Sequence, residues 1–450
     1  VPNSPITRLR TRTQPLAEIV DSYFDGLFSA CAGSLQTHVT PAAANLYVRT
    51  LVRLGRPADA IDAIALVIAA SPNATHAELG ELMMHRAAAL ARMRRDDDAE
   101  MQLTLSNARA YVYSAMSPAL EAELTFVEAL VFAMGGDVDA AAPVARSVLD
   151  FTADGELEYV VPLAHTRARA LDLLAFIAAR REDDGARRDL LRAALDACDG
   201  SARRDIAFEA NVLANLAIYA REFGDDGSVR ARFERMPDVE QLRSQRYEIL
   251  RSLAWSNALV GNNLGTFRDL RDASETAPTT ATKIRAIVDR AYFASELGQG
   301  LIAREEIDFA VRLSERVDWS AVAHQERELD ALLSLGVALI PVDVERARNV
   351  YERYRKLKPK LSPESLATID RRARAEEITA EAKISSADGD ERRAVSLFLE
   401  AFETWDARGY RVRAALVARE LSALGAGERF AAYVAEEAAR LPKSWLARVV

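Results

Sequence analysis

"RLGRPADAIDAIALVIAASP", residues 53–72, decides the fold. Gly55 is followed five residues later by Ala60, then by Ile64 and Val67 on the same helical face, and Pro72 closes the stretch 17 residues after the glycine. One such helix means little, so the question is whether the pattern returns. It does. "GGDVDAAAPVARSVL" sets Gly136, Ala141, Ala145 and Val148 at the same offsets, and "GNNLGTFRDLRDASETAP" sets Gly261, Thr266, Leu270, Ala273 and Pro278. Ala303 and Ile307 follow Gly298, Ala394 and Phe398 follow Gly389, and Ala347 and Tyr351 precede Pro359. "GAGERFAAYVAEEAARLP" again runs 17 residues, from Gly425 to Pro442.

Weaker copies fill the gaps: Ala99 with Leu103, Ala186 with Leu190, and Gly224 with Val229 and Phe233. The turns then fall near residues 55, 94, 136, 181, 224, 261, 298, 342, 389 and 425, about 41 residues apart, a period typical of helical solenoids. Upstream of each turn runs a second amphipathic stretch with a small residue at one recurrent place. Ala87, Ala129, Ala217, Ala254, Ala291 and Ala382 each stand seven residues before their turn. A small side chain there lets two helices of a hairpin approach closely.

The turn glycine, the alanine five later, the large apolar residue and the closing proline resemble the tetratricopeptide repeat over residues 40–442. The resemblance implies an all-α, right-handed superhelical solenoid of about ten antiparallel helix hairpins. Residues 1–39 would then be an N-terminal segment with a first capping helix, and residues 443–450 the end of the last helix. The long, uneven period is also similar to the sensor domains of bacterial transcription regulators of the LuxR and MalT type. That likeness implies a cytoplasmic sensor or regulatory part.

Composition agrees with helix. The 450 residues include only 20 glycines and 15 prolines, and no period-2 apolar stretch suggests a strand. Net charge is −9, which gives no general attraction to nucleic acid, and of 58 basic residues only six are lysines. Two cysteines, Cys31 and Cys198, are too few for a disulfide framework or a four-cysteine zinc site. No run of 18 apolar residues occurs, and the opening "VPNSPITRLRTRTQP" lacks a signal-peptide core. A reduced, cytoplasmic chain without membrane contact is the expectation.

Chemistry-bearing motifs are sparse. No phosphate-binding GxxxxGK[ST] occurs, and Gly298-Gln299-Gly300 with Ala303 fits a dinucleotide motif only formally, because helix surrounds it. His38, His76, His85, His165 and His324 lack metal-ligand spacing. The acidic runs at 94–100, 181–185 and 387–391 fall in turns, where carboxylates cap the next helix. The basic stretch 346–360 reads as a helix end, where cations are favoured. No nucleophile, base and oxyanion donor come together locally, so neither an enzyme nor a cofactor is expected.

One pattern stands out. On helices that should line the inner surface, Asn211, Asn215 and Tyr219 form one i, i+4 stripe, Arg251 and Trp255 a second, and Arg285, Asp289 and Tyr292 a third. Amides clamp peptide backbone and guanidinium groups clamp carboxylates. The expectation is a non-catalytic module that binds a protein or peptide, or a small-molecule effector, in that groove. The alternative is a protein–protein scaffold or assembly factor, cytosolic or in the cell envelope.

Overall fold

The computed structural model describes residues 16–36, 41–93, 98–151, 163–201, 203–225, 227–322, 326–361 and 371–448. Helix makes up 83% of it, and no strand occurs among the described residues. The described residues hold 23 α-helices, which pack in consecutive pairs as eleven hairpins and one short helix, Trp319–Val322. The expected ten hairpins are therefore joined by one more. The N-terminal segment holds a hairpin, Leu16–Phe24 with Phe28–Leu35, turned at Gly26, rather than a single capping helix.

The turn explains the repeat. At Gly55 the backbone enters the left-handed region (φ 71°), and the Arg56 N–H donates to the Leu51 carbonyl five residues back at 2.9 Å. This Schellman closure satisfies carbonyls that the helix end leaves open. The same bond recurs from Asp137 to Phe132, Asn262 to Asn257, Gln299 to Ala294, Asp390 to Ser385 and Ala426 to Leu421. Counting from the left-handed residue, positions five and nine later are buried, as with Ala60 and Ile64 or Ala394 and Phe398.

Two of the weaker copies are out of register. In the fifth of the repeating units the left-handed residue is Glu182 (φ 59°), and the Asp183 N–H closes on Ala178. Counted from Glu182, position nine is the buried Leu191, followed by buried Ala194, Leu195 and Cys198, while position five, Arg187, is half-buried, as are Ala186 and Leu190. In helix Asp98–Ala115 the buried line is Leu105, Ala108 and Val112. Ala99 is exposed and Leu103 is 63% exposed, so the line runs two residues later than a count from residue 94 puts it. The turn itself, residues 94–97, lies outside the described residues.

The first helix of each hairpin presents its small residue to its partner as expected. Ala87, Ala129, Ala217, Ala254, Ala291 and Ala382 are all fully buried. The turn carboxylates cap: Asp183 accepts from the Ala186 N–H at 2.9 Å and Asp390 from the Arg393 N–H at 3.1 Å. The last helix stops at Arg440, before Pro442, so residues 443–448 do not extend it. Trp445–Arg448 is instead a short 3₁₀ turn that buries Trp445 and Leu446.

The chain divides into two compact units, residues 1–212 and 213–450. The first unit has one continuous apolar core from Val48 to Ile177. In the second unit, one core runs from Ala281 to Ile384 and another from Ala375 to Leu446. A smaller apolar island joins Trp255, Leu259 and Phe293 to Val412 and Trp445.

Candidate functional site

In unit 2 the first helices of successive hairpins, Arg243–Leu259, Thr280–Glu296, Glu326–Leu339, Arg371–Ala387 and Arg411–Ala423, surround a chamber of about 600 Å³. Five of the sequence-predicted residues line it: Arg251, Trp255, Arg285, Asp289 and Tyr292. The other three do not. Asn211 is exposed on unit 1, Asn215 is half-buried, and Tyr219 is buried with its ring stacked on Phe223 at 6.4 Å.

The lining residues are more enclosed and more tightly paired than a solvated groove requires. Arg251 Nε lies 2.5 Å from Asp289 Oδ2, and Trp255 Nε1 donates to the same oxygen at 3.2 Å. Burial alone would raise the Asp289 pKa, but Arg251 outweighs it and holds the carboxyl below its ordinary value. Arg285 reaches Asp330 at 3.2 Å. There burial wins, and the Asp330 carboxyl is pushed up despite Arg285. Trp255 stacks on Tyr292 at 5.5 Å and meets Phe293 edge-on at 4.8 Å. The apolar side chains of Ile307, Leu333, Val337, Ala338 and Leu416 also line the chamber.

Local periodicity missed the groups that close the chamber. Arg413 places its guanidinium 4.7 Å from the Trp255 ring centre and pairs with Glu222 at 3.1 and 3.2 Å. Arg419 forks onto Glu296 at 2.9 and 3.0 Å. Trp445 donates to the Tyr292 hydroxyl at 3.2 Å. These partners stand 123 to 191 residues apart, beyond any sequence window.

Unit 1 carries a chain of buried charges on the first helices of its hairpins. Arg49 contacts Glu81 at 3.1 Å and Glu123 at 3.6 Å. Glu123 in turn accepts from Thr166 at 2.7 Å and Arg169 at 2.5 Å. Burial works against the Glu123 charge, yet Arg169 and Arg49 hold its carboxyl down at about 2. His85 sits 3.5 Å from Glu81, and its pKa is lowered by burial and by Arg49. His165 is buried against the Arg203 carbonyl, His76 is exposed, and His38 and His324 lie outside the described residues. Among the described residues no group of three His, Cys, Asp or Glu could hold a metal ion. No helix there is long and apolar enough to cross a membrane.

No protein-family model matches the chain, and no curated protein matches it in sequence. Solved structures do. It is similar to the apo form of the quorum sensor NprR from B. thuringiensis, at 11% identity and a TM-score of 0.44 over 85% of this chain and 97% of that one. The human IFIT1 dimer with m7Gppp-AAAA follows at 14% identity and a TM-score of 0.45, covering 94% and 95%. A Rap protein complexed with competence and sporulation factor matches at 12% identity and a TM-score of 0.38, covering 87% and 99%. At these values the likenesses say nothing of a ligand. On the strength of its own hairpins, left-handed turns and close-approach alanines, the chain is a tetratricopeptide-like helical-repeat array.

Proposed function

We propose that this chain is a recognition module whose unit 2 chamber receives a peptide-like signal, as the sensing part of a regulator. The chamber itself carries this reading. Its roughly 600 Å³ falls within the range of ligand sites, and such sites combine an apolar wall with a few oriented polar groups. Here Leu333, Val337 and Leu416 supply the wall, and Arg285, Tyr292 and Ser334 the polar side. A scaffold that held partners on its outer surface would have no need of a recess lined in this way.

The paired state of Arg251 and Trp255 changes the choice of test. Either alanine substitution would disturb the internal Asp289 pairing as well as any ligand contact. Ser334 is half-buried and lines the chamber, so Ser334→Trp fills the space from a helix that stays intact. Random peptides selected on the full chain would be titrated calorimetrically against both proteins. The expected result is a loss of at least about tenfold in affinity, roughly 1.4 kcal/mol, with an unchanged circular dichroism spectrum. Equal affinity of the selected peptides for Ser334→Trp would remove the chamber as the site.

A further inference from the structure

We propose that the last hairpin, Arg411–Ala423 with Glu428–Arg440, and the 3₁₀ turn after it form a strap that fastens one wall of the open-mouthed unit 2 chamber and loosens or tightens with the ligand it receives. In a helical-repeat array each repeat needs contacts only with its neighbours. This hairpin breaks that rule inside unit 2. It touches its own predecessor through a large apolar core containing Trp405, Phe398, Leu421 and Phe430. It then reaches past two hairpins to helix Thr280–Glu296, past three to Arg243–Leu259, and on to Glu222 of helix Ile206–Phe223.

That second interface differs in kind. It includes the Arg413–Glu222 and Arg419–Glu296 ion pairs, the Trp445–Tyr292 hydrogen bond, Arg413 over the Trp255 ring, Tyr410 against Phe223, and a small apolar island. Arg413 and Arg419 keep part of their surface exposed, at 16% and 25%. Their partners Glu222 and Glu296 are 2% and 13% exposed, so opening this interface returns both carboxylates to water, which can replace the bonds lost, whereas the continuous core on the other side regains nothing from water. The strap also supplies chamber wall, through Arg413, Leu416, Val417 and Arg419. A bound molecule would touch the strap and helix Thr280–Glu296 together, so binding and fastening reinforce one another.

The coupling to binding rests on the chamber being the ligand site; the strap itself does not. Its test therefore uses the full chain without ligand. The double variant Arg413→Gln/Arg419→Gln removes both ion pairs. Amide hydrogen exchange within 411–440 and 243–259 is expected to speed up at least about threefold, with exchange in 300–357 unchanged. Acrylamide quenching of tryptophan fluorescence should also rise, because Trp255 and Trp405 line the chamber.

A second variant, Glu296→Cys/Arg419→Cys bridged by a short bismaleimide, ties the strap shut. Cys31 and Cys198, at 1% and 0% exposure, stay out of the reagent's reach. Quenching in the bridged protein should return to the parent level or below. Unchanged exchange in 411–440 of the Gln variant overturns the strap. So does a rise in 300–357 equal to that in the strap, which would make the hairpin part of one cooperative body. Loosening without any chamber-bound peptide would instead reject the proposed function and leave the strap standing.

Discussion

The left-handed turn residue makes a quantitative prediction with a built-in control. At Gly298 (φ 75°) an added Cβ meets nothing within 4 Å, so Gly298→Ala isolates the backbone cost. The left-handed region costs a residue with a Cβ roughly 1–2 kcal/mol. A stiffer unfolded chain returns roughly 0.4–1 kcal/mol, leaving a net loss of about 1 kcal/mol. At Gly261 (φ 75°) the same Cβ would sit 2.3 Å from the Lys443 carbonyl oxygen, a backbone atom that must move. Gly261→Ala should therefore cost about 1–3 kcal/mol more than Gly298→Ala. Glu182 stands in the left-handed region (φ 59°) without being a glycine, so the sign reverses there. Glu182→Gly should stabilise by about 0.5 kcal/mol, the net of about 1 kcal/mol being trimmed by losing a carboxylate beside the next helix start. Differential scanning calorimetry reads these as shifts of about 2–4 °C per kcal/mol for units of this size. A neutral Gly298→Ala, or a Glu182→Gly that melts earlier, would refute the argument that backbone conformation at this one residue sets the repeat.

Two further outcomes follow from packing and charge. Ala217→Leu or Ala254→Leu overpacks a fully buried helix contact and should cost about 1–3 kcal/mol, seen first as faster hydrogen exchange across 213–270; unaltered exchange in both would displace these residues from the helix interface. Asp172 has its pKa pushed up by burial to about 6, with Arg187 and Arg53 opposing too weakly. Its folded form thus keeps a proton that the unfolded form gives up from about pH 4 upward, and stability falls as pH rises through that window. Asp172→Asn should flatten that slope, raise stability at pH 7 and change nothing below about pH 4; urea titrations at several pH values that retain the slope would exclude Asp172 as its source.

Much of the fold was legible because the left-handed residue is usually a glycine and the buried positions count from it. Where the chain places Glu182 there instead, the count slipped by one, and Ala186 and Leu190 were favoured over Leu191. The helical stripes of unit 2 were legible for the same reason: i, i+4 spacing puts Arg251 beside Trp255 and Arg285 beside Asp289 on one face. Their mutual capture was not. Arg251 and Asp289 belong to different hairpins, and periodicity within a helix carries no information about what the next helix brings opposite it. The closing groups Glu222, Arg413 and Trp445 lay further still from reach. Asn211 and Asn215 share the helical spacing of the lining residues yet stand outside the chamber, because spacing fixes a face and leaves its depth open.

The buried charges of unit 1 have a mechanical consequence. Arg49, Glu81, Glu123, Thr166 and Arg169 come from the first helices of four successive hairpins, and Arg49 and Glu123 each serve more than one partner. Peeling away any one of these hairpins breaks at least one of the ion pairs as well as apolar contact. A stack held by apolar contact alone yields to a pull one repeat at a time, as a staircase of small rips. Riveted in this way, residues 41–180 should instead resist as a block and give way in a single event.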